Sequence, residues 1–339
     1  MQVTTVVWGV TILVILGLFV FDFFAHVRTP HEPTFRESAF WSAVYIGLAL
    51  AFGGLVAVKW GGVYAGEYYA GFITEKALSV DNLFVFLIIM STFAVPRAYQ
   101  QKVLLIGIVI ALVMRGAFIA VGAAAISAFS WVFYLFGIFL IYTAAKLLKE
   151  SGHEVEHEQK RDSRIVALTK RLVPTTEQFH GDSLIARIGG KRVVTPMLLA
   201  LLAIGFTDLL FALDSIPAIY GLTEQPYLVF TANAFALMGL RQLYFLIGGL
   251  LDRLVYLSYG LAAILAFIGV KLMLHALHEN NLPFVNGGEH VAVPEISTAV
   301  SLSVIVGILV VATVASLWRT GGRARPVEPA DSGSAPRER

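Results

Sequence analysis

The chain has 339 residues, 57% hydrophobic and 14% charged, with 25 Lys and Arg against 23 Asp and Glu, a net charge of +2 and no Cys. Its mean hydropathy of +0.76 and low charged share, against ~25% in soluble domains, make the lipid bilayer its surroundings. Zero Cys excludes a disulfide framework, a thiolate metal site and a thiol redox pair. The basic residues follow membrane topology rather than forming a face for nucleic acid.

Apolar windows of roughly 20 residues predict an all-α polytopic membrane protein of about nine transmembrane helices: Val3 to Ala25, Ala39 to Val58, Val63 to Thr92, Val103 to Ala125, Ala128 to Leu148, Pro196 to Tyr220, Tyr227 to Leu251, Val255 to Leu277 and Thr298 to Trp318. The first window has no basic segment before it and exceeds a signal-peptide core, so it reads as a retained anchor. Near its end stand Asp22 and His26, where Asp22 either assists ion release or pairs with Arg28. Most of the Lys and Arg, including nine from Lys149 to Arg192 and five from Arg319 onward, fall in connections on one side. The connection His278 to Ser297 has Glu279, Glu289 and Glu295 and no Lys or Arg. By the positive-inside rule the chain is a multi-pass plasma-membrane protein with its N-terminus outside and its C-terminus cytoplasmic.

A duplication organises the chain. FITEKALSVDNLFVF (Phe72 to Phe86) and GFTDLLFALDSIPAI (Gly205 to Ile219) match Thr74 with Thr207, Glu75 with Asp208, Asp81 with Asp214 and Asn82 with Ser215. Downstream, Arg115 then Lys146 in the first copy correspond to Arg241 then Lys271 in the second, with Asn233 before Arg241. The expected organisation is two N-terminal helices (1–58), a three-helix repeat (59–148), a charged cytoplasmic loop (149–195), a second three-helix repeat (196–277), an outer loop with the ninth helix (278–318) and a disordered tail (319–339). Three spans per unit is an odd number, so the repeats are inverted. That architecture suits alternating access with a site at the midplane. Lys146 and Lys271 read as snorkelling side chains. In the loop, His153 and His157 are spaced to share a metal on a helix, or are part of a solvated charged segment that sets topology.

Carboxylates at membrane depth cost a few kcal/mol or more and persist where they face a pathway, a partner or a cavity. Glu75 and Asp81 lie about 9 Å apart along an ideal helix and roughly 120° apart around it. With Thr74, Ser79 and Asn82 they form a polar wedge. The second copy builds the same wedge from Thr207, Asp208, Asp214 and Ser215. Antiparallel placement is expected to set Glu75 level with Asp214 and Asp81 level with Asp208. Pro217 is expected to free the Leu213 carbonyl as a further ligand, and a helix break there would let Asp208 and Asp214 converge.

The oxygen-only set of Glu75, Asp81, Asn82, Thr207, Asp208, Asp214 and Ser215 suits a divalent cation such as Mn²⁺, Mg²⁺ or Ca²⁺. Lys76, Arg115 and Arg241 are the charge-balancing cations; in the structural alternative Glu75 with Arg115 and Asp208 with Arg241 are ion pairs, and at least one of the two Arg is expected in that part. Protons, which the same carboxylates can take up, are the natural coupling ion. An aspartyl membrane protease would use Asp81 and Asp214 as a dyad, but the sequence around Asp214 is PheAlaLeuAspSer rather than GlyXGlyAsp, so no enzyme is expected. The alternative from another class is a non-transporting scaffold for stress-response or membrane-insertion machinery, docking through the charged loop.

The segments Glu75 to Asn82 and Thr207 to Ile219 resemble the signature of the TerC family, including its Alx branch. So do PheAspPhePheAlaHis near Asp22, Phe235 to Phe245 and Tyr259 to Leu272. The resemblance covers nearly the whole chain outside the charged loop and the tail. It implies a LysE-like transporter relationship, association with tellurium-ion resistance and, in several members, manganese export. By motif it carries acidic site positions onto Glu75, Asp81, Asp208 and Asp214, with Asn82, Thr207 and Ser215 beside them.

Overall fold

The computed structural model describes residues 1–27, 31–129, 131–150, 183–188, 191–247, 256–280, 282 and 285–321. Arg28, His153, His157 and the tail beyond residue 321 lie outside the described residues, as does the side chain of Asp81.

The described helices are α1 (Thr5–Asp22, running into a π turn, Phe23–Val27), α2 (Phe35–Trp60), α3 (Gly62–Thr92), α4 (Arg97–Ala128), α5 (Val132–Glu150), α6 (Pro196–Tyr220), α7 (Pro226–Leu237), α8 (Leu240–Ile247), α9 (Leu257–His278) and α10 (Thr298–Gly321). An antiparallel hairpin, β1 (Ile185–Ile188) with β2 (Lys191–Val194), precedes α6. Helix starts follow local chemistry. Thr4 and Thr34 cap α1 and α2 by accepting from the Val7 and Glu37 amides, and Pro196 and Pro226 open α6 and α7, where a missing N–H costs nothing.

Among the described residues, seven helices are long and apolar enough to cross a membrane: α1, α2, α4, α5, α6, α9 and α10. The protein is therefore an all-α polytopic membrane protein. The other two expected spans take different forms. The third is α3, a 31-residue helix bearing Glu67, Glu75, Lys76 and Asp81 and packed against α2, α6, α7 and α10, so that protein surrounds its polar groups. The seventh, expected to run unbroken from Tyr227 to Leu251, stops at Leu237. Met238 is extended (ψ 137) and Gly239 has φ +75, a left-handed conformation open to glycine, before α8 resumes. No break occurs at Pro217: α6 continues through it to Tyr220, while the proline, lacking an N–H, has no amide to donate to the Leu213 carbonyl.

The helices pack in matched pairs. α3 lies on α7 as α6 lies on α4, while α5 packs on α9 and α3 on α6. Exchanging α3 with α6, α4 with α7 and α5 with α9 maps this set onto itself. The α5–α9 crossing is reciprocal in detail: a Cβ on Gly137 would sit 3.0 Å from the Gly269 carbonyl oxygen, and one on Gly269 3.0 Å from that of Gly137. Glycines at such a crossing let backbones approach, which matters in lipid because dispersion rather than water exclusion holds helices together.

Candidate cation site

α3 and α6 carry the two copies of the motif and meet at the centre of the bundle, with Arg115 of α4 between them. Arg115 is fully buried, as are Glu75 and Asp208. Its fork is divided between the copies. Nε and Nη2 donate to Asp208 Oδ2 and Oδ1 at 3.0 and 2.9 Å. Nη1 donates to Glu75 Oε1 and, at 3.2 Å, to Ser215 Oγ. Glu75 thus faces its matched residue, Asp208, across one guanidinium. The expected alignment of Glu75 with Asp214 gives way because the helices cross near the Glu75 and Asp208 positions rather than midway between the acids of each copy.

Two acids share one cation here, and acceptors are left over. Glu75 Oε2, Thr74 Oγ1, Ser79 Oγ and Thr207 Oγ1 are buried with no hydrogen-bond partner, as are both polar atoms of the Asn233 amide on α7. A buried polar group without a partner costs about 1–3 kcal/mol, so several of them on the two motif helices call for a further partner. The oxygens among them are of the type that ligates hard cations, whereas Asn233 Nδ2 is a donor. Among the described residues no three acidic or His side chains group to hold a metal.

Other expected site residues lie apart from this centre. Asp214 is half-buried and accepts from Thr143 Oγ1 of α5 at 3.1 Å. Asn82 is buried. Lys76 does not neutralise an acid: its Nζ donates to the carbonyls of Ala236 and Met238 at 2.9 and 3.3 Å, closing the end of α7 where the helix break frees them. Arg241 does not meet Asp208. It pairs with Asp22 at 2.8 Å and donates to Gln101 Oε1, because the turn at Gly239 carries the chain toward α1. Tyr45 Oη and Gln242 Nε2 also donate to Asp22, at 2.8 and 3.2 Å.

Sequence reasoning missed Thr143 and the role of Asn233. A polar residue one turn before Lys146 in an otherwise apolar span was the available signal for the first, and the only Asn of α7 that for the second.

At the α6–α7 connection a cavity of about 460 Å³ is lined by Glu67, Thr223, Glu224, Lys271, His275 and Glu295. Thr223 Oγ1 donates to Glu67 at 2.6 Å, and His275 pairs with Glu224 at 2.9 Å. Lys271, expected to snorkel to lipid headgroups, lines this cavity instead. The Glu224 carboxyl is held below its ordinary value by the hydrogen bond from His275, against the opposing effect of burial.

Residues 60–324 match the model of the integral membrane protein TerC family. The chain is 53% identical over 326 residues to an uncharacterized membrane protein of Mycobacterium tuberculosis, covering 96% of this chain and 82% of that one. A Myxococcus xanthus membrane protein, also uncharacterized, is 37% identical, covering 96% and 95%. Alx of Escherichia coli, whose name gives membrane-bound redox modulation as a proposed role, is 34% identical, covering 93% and 95%. No solved structure matches. With the match spanning the motif helices, the central acids and the three-helix units alike, the chain belongs to the integral membrane protein TerC family.

Proposed function

We propose that this protein exports a divalent metal cation, Mn²⁺ first among Mn²⁺, Mg²⁺ and Ca²⁺, by alternating access through a site between α3 and α6. The observation that carries the reading is the excess of acid at Arg115: two buried carboxylates share one guanidinium, and Glu75 Oε2 and the hydroxyls of Thr74, Ser79 and Thr207 on the same two helices are buried without a partner. A packing role alone would leave donors and acceptors matched, since unmatched ones are costly at this depth. Glu75 and Asp208 are the anionic ligands, Thr74, Ser79, Thr207 and Asn233 the neutral ones. Asp81, Asp214, Asn82 and Ser215 line the way to and from them.

The exchange pattern of the helices supports reading 59–148 and 196–277 as inverted repeats, which can rock against each other about a fixed midplane site. The N-terminus lies outside and the C-terminus in the cytoplasm, so the acidic cavity at the α6–α7 connection is the outer mouth. Protons returning inward through the carboxylates supply the drive. Tellurium-ion resistance is an indirect consequence of metal handling, since no thiol is present to meet tellurium compounds. The redox role in the name of Alx likewise has no thiol to act through here.

Purified protein in vesicles with a trapped Mn²⁺ indicator tests this. Wild type moves Mn²⁺ and responds to an imposed pH gradient, while Glu75→Gln, inserted and folded, does not. Equal flux in both would remove the central site from the mechanism, and no flux in wild type would end the transport reading.

A further inference from the structure

Arg115 lies between the two carboxylates read above as the anionic ligands. Its guanidinium touches both motif copies at once, with two bonds to Asp208, one to Glu75 and one to Ser215, and it is buried to the same degree as its partners. A planar fork with five N–H groups directed outward in one plane leaves Glu75 Oε2, Thr74 Oγ1, Ser79 Oγ and Thr207 Oγ1 unbonded. A divalent ion takes six or more oxygen ligands in three dimensions, without the planar constraint of the fork.

Resting on the transport reading above, we propose that Arg115 is a tethered counter-cation that competes with the transported ion for Glu75 and Asp208. The ion enters by displacing the guanidinium, and the guanidinium expels the ion by returning.

Two consequences separate this role from a structural one. The two carboxylates never face each other bare between transport events, since one positive charge is always attached to the chain. Cargo affinity is also held down by intramolecular competition, so that ions leave readily; removing the competitor raises apparent affinity by mass action and slows release. A purely structural arginine predicts the reverse, because its loss disorganises the ligands it holds.

The test measures equilibrium binding of radiolabelled Mn²⁺ to full-length wild type, Arg115→Gln and Arg115→Lys in lipid nanodiscs, alongside flux in vesicles. Arg115→Gln is expected to bind Mn²⁺ about tenfold or more tighter than wild type while its flux falls. Arg115→Lys, a point charge without the fork, falls between the two. Folded Arg115→Gln that binds no tighter than wild type overturns the proposal. If that variant does not fold, Arg115→Lys decides, and affinity at or below wild type overturns it. Wild-type flux with unimproved variant affinity defeats only the counter-cation role. Absence of Mn²⁺ binding and flux in wild type defeats the transport reading, and this proposal with it.

Discussion

Arg115 and Arg241 follow their motif helices in the same order in the two repeats, both are buried, and both bond to carboxylates, yet the balance around them is opposite. At Arg115 one cation serves two acids, and one oxygen of Glu75, Oε2, is left unbonded. At Arg241 one acid, Asp22, receives three donors on a single oxygen, from Tyr45, Arg241 and Gln242. Among the described residues, Arg241 Nε, Gln242 Oε1 and the Ser38 hydroxyl of the same pocket remain unbonded there. The carboxylates outnumber the cation at the first centre and do not at the second. The difference shows that a buried ion pair is informative about function through its stoichiometry rather than its presence.

The sharpest way to break this comparison is to disable the Arg241 centre. Asp22→Asn leaves Arg241 without its anion at a buried position tying α1, α2, α4 and α8 together. Breaking a buried pair from one side costs about 3–5 kcal/mol, read as lost stability in denaturant titrations of the detergent-solubilised protein. Mn²⁺ affinity of the folded fraction is expected to stay within about threefold of wild type, as it does for sites that share no partners. A folded Asp22→Asn protein that no longer binds Mn²⁺ would show that the two arginine centres are not functionally distinct.

Next in size is Gly239→Ala. The added Cβ would stand 3.1 Å from Tyr45 Cβ, at a residue with φ +75, and a left-handed L-residue alone costs about 1–2 kcal/mol. The same denaturation assay should register a loss of that order. An unchanged stability would mean that the α7–α8 break does not depend on the turn.

A smaller effect of opposite sign is expected at the centre. Thr207→Val removes an unpartnered buried hydroxyl at nearly constant volume, so stability should hold or rise by up to about 1 kcal/mol while Mn²⁺ affinity falls. A stability loss without an affinity change would make Thr207 a packing residue and weaken the argument from the unpartnered hydroxyls.

How far the sequence reached follows the same division. The matched acids Glu75 and Asp208 were legible because motif repetition marks them within contiguous segments, and both meet Arg115. The partner of Arg241 was not, since Asp22 lies 219 residues away and only the turn at Gly239 brings them together. MetGlyLeuArg held the signal, a glycine inside an apolar span, but hydropathy alone reads through it. Lys76 was assigned to the acids because it adjoins Glu75 in sequence. Neighbours on a helix point about 100° apart, and its side chain leaves toward the freed carbonyls of α7.

The pair formed by Glu224 and His275 supplies the contrasting case of an accessible interaction, with side chains 51% and 28% exposed, so that water screens much of it. Hydrogen bonding from His275 lowers the Glu224 carboxyl from its ordinary 4.5. A carboxyl more acidic in the folded protein stabilises it above the unfolded value, and that contribution disappears as pH falls through the folded value. Glu224→Gln should therefore melt slightly below wild type at neutral pH, and the two melting curves should converge as the pH is taken below the carboxylate range. A gap that persists at acid pH would assign the difference to packing around the cavity rather than to charge. Since the pair spans the α6–α7 connection and the end of α9 rather than the Arg115 centre, the substitution should leave Mn²⁺ affinity at equilibrium unchanged, and any effect on flux would report the mouth rather than the central ligands.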